Sequence, residues 1–236
     1  RTAKDRRHVI GAMSTSKRGR MVGPKTLAKN WGIGLHQAQR TIDATTQLAK
    51  SFLRFPLVRH IKSRYPQLNR VRLRETVATD TYFSNVRAYG GATCAQVFYG
   101  LLSHMINVYG MRTESEMPEV YKDFIRHEGA PTYLRRDNAQ AQKSKKVTAI
   151  NRELLIGDQY TEPHHPQQNP AELQAVKFLK DHSQVIMDRT GADEKAWLDC
   201  CEYVADVHNI CANDLLNGRT PIEKRHGYTP DIYAYL

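Results

Sequence analysis

The sequence has no cysteine before Cys94 and only four in all, Cys94, Cys200, Cys201 and Cys211, with no Cys-x-x-Cys pair among them. Without that spacing no zinc module is expected, and a disulfide framework is excluded. Adjacent Cys200 and Cys201 on a helical pattern cannot face one partner, so the thiols read as reduced, small core residues. No run of 18 apolar residues exists, and the N-terminus lacks the charged, apolar, small-residue succession of a secretory signal. A membrane-spanning helix and export are therefore not expected, and an intracellular protein is. Internal repeats and low-complexity tracts are also lacking. Acidic residues are scarce at one end: residues 1–75 hold 18 Lys or Arg against 3 Asp or Glu, whereas residues 76–236 hold 17 against 21.

What is present bounds the rest. A chain of 236 residues, 40% hydrophobic, can build one full-sized domain and a smaller appendage. Its net charge of +11 and isoelectric point near 9.6 favour a polyanionic partner, nucleic acid or an acidic membrane face. Because the excess sits in the first third, the pattern is that of a nucleic-acid-binding arm joined to a catalytic or structural body. A start at Arg1 and a stop at Leu236 without a polar tail suggest a segment of a longer polyprotein.

Four regions follow from patterning. Residues 1–20 carry Arg6, Arg7, Lys17, Arg18 and Arg20 with few large apolar groups, too little burial to offset the entropy of ordering, and read as a basic mobile arm. Within residues 21–50, Leu27, Ala28 and Trp31 fit one helix, Gly32-Ile33-Gly34 a turn, and Leu35, Ala38 and Ile42 a second helix. This is a helix-turn-helix spacing whose second helix would offer His36, Gln37, Gln39 and Arg40 to a DNA groove, although a plain two-helix hairpin fits the same apolar spacing. Residues 51–75 interleave Arg54, Arg59, Lys62, Arg64, Arg70, Arg72 and Arg74 with Pro56 and Pro66, the composition of an extended basic linker that attracts phosphate without reading sequence, or is simply solvated.

Residues 76–236 read as α/β. Strands are expected at 76–83, 92–101 and 106–111, paired as an antiparallel meander, then a helix at 114–127 and a short buried strand at 131–136. A helix to about Leu155, a brief strand near 159–161 and helices at 171–188 and 193–215 complete the series. That order is the order of an RNase H-like mixed sheet flanked by helices.

Three acids stand where such a topology would bring them together: Asp80 within the first strand, Asp137 at the end of the fourth, and Glu172 opening the helix after Pro170. A carboxylate in mid-strand among apolar neighbours is costly unless it is paired or metal-bound. Hard oxygen ligands favour Mg²⁺ or Mn²⁺, and two such ions roughly 3.5–4 Å apart can activate the attacking oxygen and stabilise the leaving one in phosphoryl transfer. In that chemistry Asp80 would bridge both ions while Asp137 and Glu172 each held one. Singly, each acid is ordinary, a strand-end cap or a charge at a helix start. Lys177 and Lys180, on the helix after Glu172, are weaker candidates for phosphate contact, and Lys143, Lys145 and Lys146 read as a solvated face.

The spacing of Asp80, Asp137 and Glu172, with 34 residues between the last two, resembles the D,D-35-E pattern of retroviral integrases and related transposases. Pro166-Gln167-Gln168-Asn169-Pro170-Ala171-Glu172 is similar to the Pro-Gln-Gln-Asn-Gly-Val-Ala-Glu signature of Ty1/copia-type retrotransposon integrases, one residue shorter and with Pro170 at the Gly. Arg219-Thr220-Pro221-Ile222-Glu223 and Gly227-Tyr228-Thr229-Pro230 resemble that family's Thr-Pro-x-Glu and Gly-x-x-Pro stretch. The resemblance spans residues 76–236. It implies a polynucleotidyl transferase that trims element DNA ends and joins them to double-stranded target DNA, working as a homo-oligomer in the nucleus, with Gln168 and Asn169 touching DNA from a loop beside the site. The zinc module that usually precedes such a core is absent before Cys94. Two other readings remain: an inactive, domesticated DNA-binding copy, and a ribonuclease H-type nuclease.

Overall fold

Rich in β-branched residues and ending in two aromatics, Thr76–Phe83 forms the central strand of a five-stranded sheet in the computed structural model. The structure describes residues 21–47, 64–65, 69–137, 145–161 and 170–236, without the side chains of 172 and 173. In chain order its elements are α1 (Pro24–Trp31), α2 (Leu35–Ala44), β1 (Thr76–Phe83), β2 (Cys94–Gly100), β3 (Ile106–Met111), α3 (Met117–His127), β4 (Tyr133–Arg136), α4 (Lys145–Leu154) and β5 (Gly157–Tyr160). A π-helical turn, Ala171–Val176, then leads into α5 (Lys177–Thr190), and α6 (Trp197–Ile210) and α7 (Pro221–His226) follow. The contacts divide the chain into two units, residues 61–206 and residues 1–60 with 207–236.

The first of these units holds the sheet, in the order β3-β2-β1-β4-β5. β1, β2 and β3 pair antiparallel as the meander expected, while β4 and β5 run parallel to β1. Successive side chains point to opposite faces of a strand, so β1, β2 and β3 each feed two cores. On one face Val77, Phe98 and Leu134 pack under α3 and α4, with Phe98 stacked on Phe124 at 4.4 Å between ring centroids. On the other, Ala78, Ala95, Val97 and Tyr99 meet Ala171, Ala175, Leu179, Trp197 and Cys201 from the last two helices of this unit. The sheet is thus a filling between two helical layers, the mixed α/β architecture the sequence implied.

β4 departs from the short buried strand expected at 131–136. Tyr133 is exposed, and the residue buried deepest with Leu134 is a charge, Arg136, at 1% exposure. Its guanidinium meets Asp158 at 2.6 Å and also reaches Thr148 and Tyr160, while Asn151 and Tyr121 extend the network. The helix expected at 193–215 is also shorter: it stops at Ile210, and Asn213 caps a separate turn by accepting from the Leu215 N–H.

In the other unit α1 and α2 form the expected pair, with Gly32 in the left-handed region at φ 68° and the Ile33 N–H closing on the Ala28 carbonyl. Leu27, Trp31 and Ala38 pack on Val207, Ile210, Cys211 and Ile232. Trp31 Nε1 donates to the Tyr235 carbonyl at 3.0 Å, the Ala212 N–H to Thr41 Oγ1 at 3.0 Å, and the Ile232 N–H to the Thr46 carbonyl at 2.8 Å. By contact, residues 207–236 group with the N-terminal helices. The Thr-Pro-x-Glu and Gly signature there is helix punctuation: Thr220 Oγ1 accepts from the Glu223 N–H, Pro221 opens α7, and Gly227 at φ 75° closes it. The expected arm at 1–20 and most of the linker at 51–75 lie outside the described residues.

Candidate active site

Register decides which acids can meet. β1 and β4 pair Thr76 with Tyr133, Val77 with Leu134 and Ala78 with Arg135, and continuing that alignment by two residues sets Asp80 beside Asp137. Adjacent strands lie about 4.8 Å apart, so the two positions are neighbours. Their face follows from parity: Ala78 belongs to the core under the last helices, and Asp80 and Asp137 share its alternation. The π-helical turn Ala171–Val176, which carries position 172, covers this same face through buried Ala171 and Ala175. π-helical turns concentrate at functional sites because they shift the phase of the residues that follow. Asp80 is half-buried and Asp137 exposed, at the end of the sheet where the parallel strands finish.

Side chains missed by the sequence reading hold these positions. Buried Gln96 of β2 donates from Nε2 to the Asp80 backbone carbonyl at 3.0 Å and to Thr79 Oγ1 at 2.6 Å, and its Oε1 accepts from Thr81 Oγ1 at 3.1 Å. Thr161, just after β5, donates to Asp137 Oδ1 at 3.3 Å, and its N–H bonds the Arg136 carbonyl. The turn at 171–176 is fastened by Tyr99, whose hydroxyl donates to Gln174 Oε1 at 2.5 Å and meets His104 Nδ1 on its other side. Burial, with Glu75 close by, pushes the Tyr99 phenol up to about 12, and burial holds the His104 imidazole below its usual value. Both groups are therefore neutral near pH 7. A lone Gln inside the apolar run Cys94–Gly100 was the only advance signal of this scaffold; Thr161 and Gln174 carry none until the register is known.

The other sequence candidates are dispersed. Gln168 and Asn169 lie outside the described residues. Lys177 is exposed on α5, whereas Lys180 Nζ sits 5.2 Å from the centre of the Tyr82 ring. On α2, His36, Gln37 and Gln39 are exposed. Gln37 Nε2 reaches the Ala212 carbonyl at 3.4 Å, Gln39 donates to Asp43, and the Arg40 guanidinium is paired with Asp214, so part of the expected DNA-facing set is engaged within its own unit. Lys145 and Lys146 are exposed, consistent with a solvated face.

Among the described residues no three His, Cys, Asp or Glu side chains converge as a metal cluster. The set expected to do so includes Glu172, whose side chain is outside them. The donors that are described fit a hard divalent cation in kind: two carboxylates in one row, open to solvent at a sheet end, with a hydroxyl orienting one of them. Among the described residues no helix is long and apolar enough to cross a membrane.

No protein-family profile matches the sequence, and no curated protein does. Solved structures do match. The catalytic core domain of HTLV-2 integrase, in complex with magnesium in a trimeric form, aligns over 66% of this chain and 99% of its own at 13% identity and a TM-score of 0.52. The catalytic core domain of BIV integrase aligns over 64% of this chain and 93% of its own at 15% identity and a TM-score of 0.50. At such identity the likeness speaks to architecture, and with the strand order above it makes this chain a bearer of the RNase H-like fold of retroviral integrase catalytic cores.

Proposed function

We propose that this protein is an integrase-like polynucleotidyl transferase of the Ty1/copia type, which processes the ends of element DNA and joins them to double-stranded target DNA. The observation that carries the reading is the acid row, Asp80 beside Asp137, on the sheet face covered by the turn that bears Glu172. Asp80, Asp137 and Glu172 would hold two Mg²⁺ or Mn²⁺ ions, which when bound supply activation of the attacking oxygen and neutralisation of the phosphodiester. The chain's own residues then have definite tasks. Gln96 fixes the peptide of Asp80, Thr161 aims one Asp137 oxygen, and Tyr99 with Gln174 sets the rotation of the helical turn. The basic first third supplies sequence-independent attraction to DNA, and α2 offers exposed His36 to a groove. Magnesium in the HTLV-2 core and its trimeric form support divalent-metal use and self-association here. Action on host DNA implies work in the nucleus.

The test is direct: purified protein with duplex DNA and Mg²⁺ or Mn²⁺ should yield nicked and strand-joined products, and chelation should stop both. Cleavage of RNA in hybrids without joining would favour a ribonuclease H, and DNA binding without any metal-dependent nicking would leave a non-catalytic DNA-binding protein. A second expectation concerns the fastening of the helical turn. Tyr99→Phe removes one hydroxyl from a packed ring, so the fold should persist while Mn²⁺ affinity, measured by calorimetry, falls about 10-fold, the lower range for loss of an orienting partner. Unchanged affinity would make the Tyr99–Gln174 bond a packing detail.

A further inference from the structure

Arg135 and Arg136 are consecutive on β4 and point to opposite faces, and the structure gives them different fates. Arg136 is sealed beneath α4 and neutralised by Asp158. Arg135 is half-buried on the face that carries the acid row, and among the described residues no carboxylate pairs with it within 4.0 Å. Its partner is an amide: Nε and Nη2 both donate to Gln159 Oε1, at 3.3 and 3.1 Å, across the pair that β4 and β5 make at that register. A guanidinium held by two of its donors keeps its remaining N–H groups and its full charge directed elsewhere.

That charge has a defined setting. Ala78, Arg135 and Gln159 form one row across β1, β4 and β5, and continuing the register makes Asp80, Asp137 and Thr161 the next row, as the bond from Thr161 to Asp137 requires. Two residues along a strand is about 6.6 Å, so the cation lies one short step from the acids on the same face. Arg135, Gln159, Tyr160 and Thr161 together line an open groove of about 510 Å³. A polyanion brought to a row of carboxylates meets like charge, and an oriented guanidinium beside that row is the group that offsets it.

We propose that Arg135, oriented by Gln159, is a phosphate-binding residue that holds the DNA strand at a phosphodiester next to the one lying over the acid row. This rests on the reading of that row as the site acting on DNA. Glutamine at 135 keeps a partner for Gln159 and removes the charge, so Arg135→Gln is the informative variant, with Arg135→Lys retaining charge without the forked geometry.

The experiment uses the full chain and a fluorescein-labelled DNA duplex without divalent metal, following anisotropy over a salt series. Each phosphate contact contributes about 0.9 to the slope of log affinity against log salt, so Arg135→Gln is expected to lower that slope by about 0.9 while Arg135→Lys keeps it. In Mn²⁺, both variants should nick more slowly than the wild type, because Lys lacks the fork that orients the strand. A duplex carrying one uncharged methylphosphonate beside the nick should slow the wild type but not slow Arg135→Gln further. Equal slopes for wild type and Arg135→Gln overturn the assignment and leave the proposed function standing, as does additive loss with the methylphosphonate. Should Arg135→Gln not fold, a slope for Arg135→Lys reduced to the level expected for one lost contact overturns it equally, and a retained slope with slowed nicking upholds it. Wild-type protein that fails to bind duplex DNA at all brings down both the assignment and the function it rests on.

Discussion

Asp80→Asn is expected to abolish metal-dependent nicking and joining while leaving DNA binding unchanged or tighter. Position 80 lies in mid-strand, and the bond that Gln96 makes there is to the backbone carbonyl, which the substitution does not alter. Asparagine has the shape of aspartate, so register, the Thr79–Gln96–Thr81 bracing and the packing of Ala78 and Tyr82 on either side are all kept. What is lost is one negative oxygen donor in the row with Asp137. Removal of an outer-shell partner costs about 10–100-fold in metal affinity or activity, so loss of a donor itself should exceed that, on the order of 10³-fold in rate. Affinity for the phosphate backbone should not suffer, since a like charge has been taken from its path. Gel analysis of nicked and joined duplex, beside anisotropy on the same DNA, separates the two effects. Wild-type-like cleavage by Asp80→Asn would mean that the acid row is idle.

The second large effect is on stability. Asp158→Ala should destabilise the sheet-bearing unit by about 3–5 kcal/mol, because it leaves the Arg136 guanidinium, 1% exposed, without its counter-charge. Asp158 Oδ1 accepts from both Arg136 Nη2 at 2.6 Å and Asn151 Nδ2 at 2.8 Å, and Asn151 in turn accepts from Tyr121 at 2.8 Å. The loss thus reaches β5, α4 and α3 together. Burial raises the Tyr121 phenol far above its usual range, so it cannot ionise to compensate the stranded cation. Urea titration followed by fluorescence measures the change. An apolar pair at both positions, Arg136→Met with Asp158→Leu, should recover most of it, since the ion pair's attraction is largely offset by the cost of desolvating two charges. A midpoint for Asp158→Ala within about 1 kcal/mol of wild type would mean that water reaches Arg136 and that the network is not a dry one.

How much of this was written in the residues varies with the physics involved. The strands β1, β2 and β3 were legible because short runs rich in β-branched, aromatic or other apolar residues are bounded there by Gly or Ser, and the placement of Asp80 and Asp137 on neighbouring strands follows from topology once the element order is known. Pro170 was readable as a helix start, whereas the cap that Thr220 gives α7 was seen only as part of a family-like stretch. Partnerships made across the sheet were not. Nothing local says that Gln96 braces position 80, that Thr161 reaches Asp137, or that of two adjacent arginines one is sealed and the other open, because parity assigns faces only after strand limits are fixed. The helix-turn-helix spacing identified two helices correctly but could not foresee that Arg40 would be taken by Asp214 and Gln37 drawn to Ala212, contacts made by a segment more than 170 residues away.

That separation has a consequence for synthesis. The apolar stripe of Leu27, Trp31 and Ala38 leaves the ribosome well before the surface that covers it, Val207 to Ile232. The sheet can close on itself in the meantime, since its own partners are all made by residue 206. Until that stretch emerges, α1 and α2 keep this apolar stripe uncovered. Joining residues 21–47 directly to 207–236 would remove the wait.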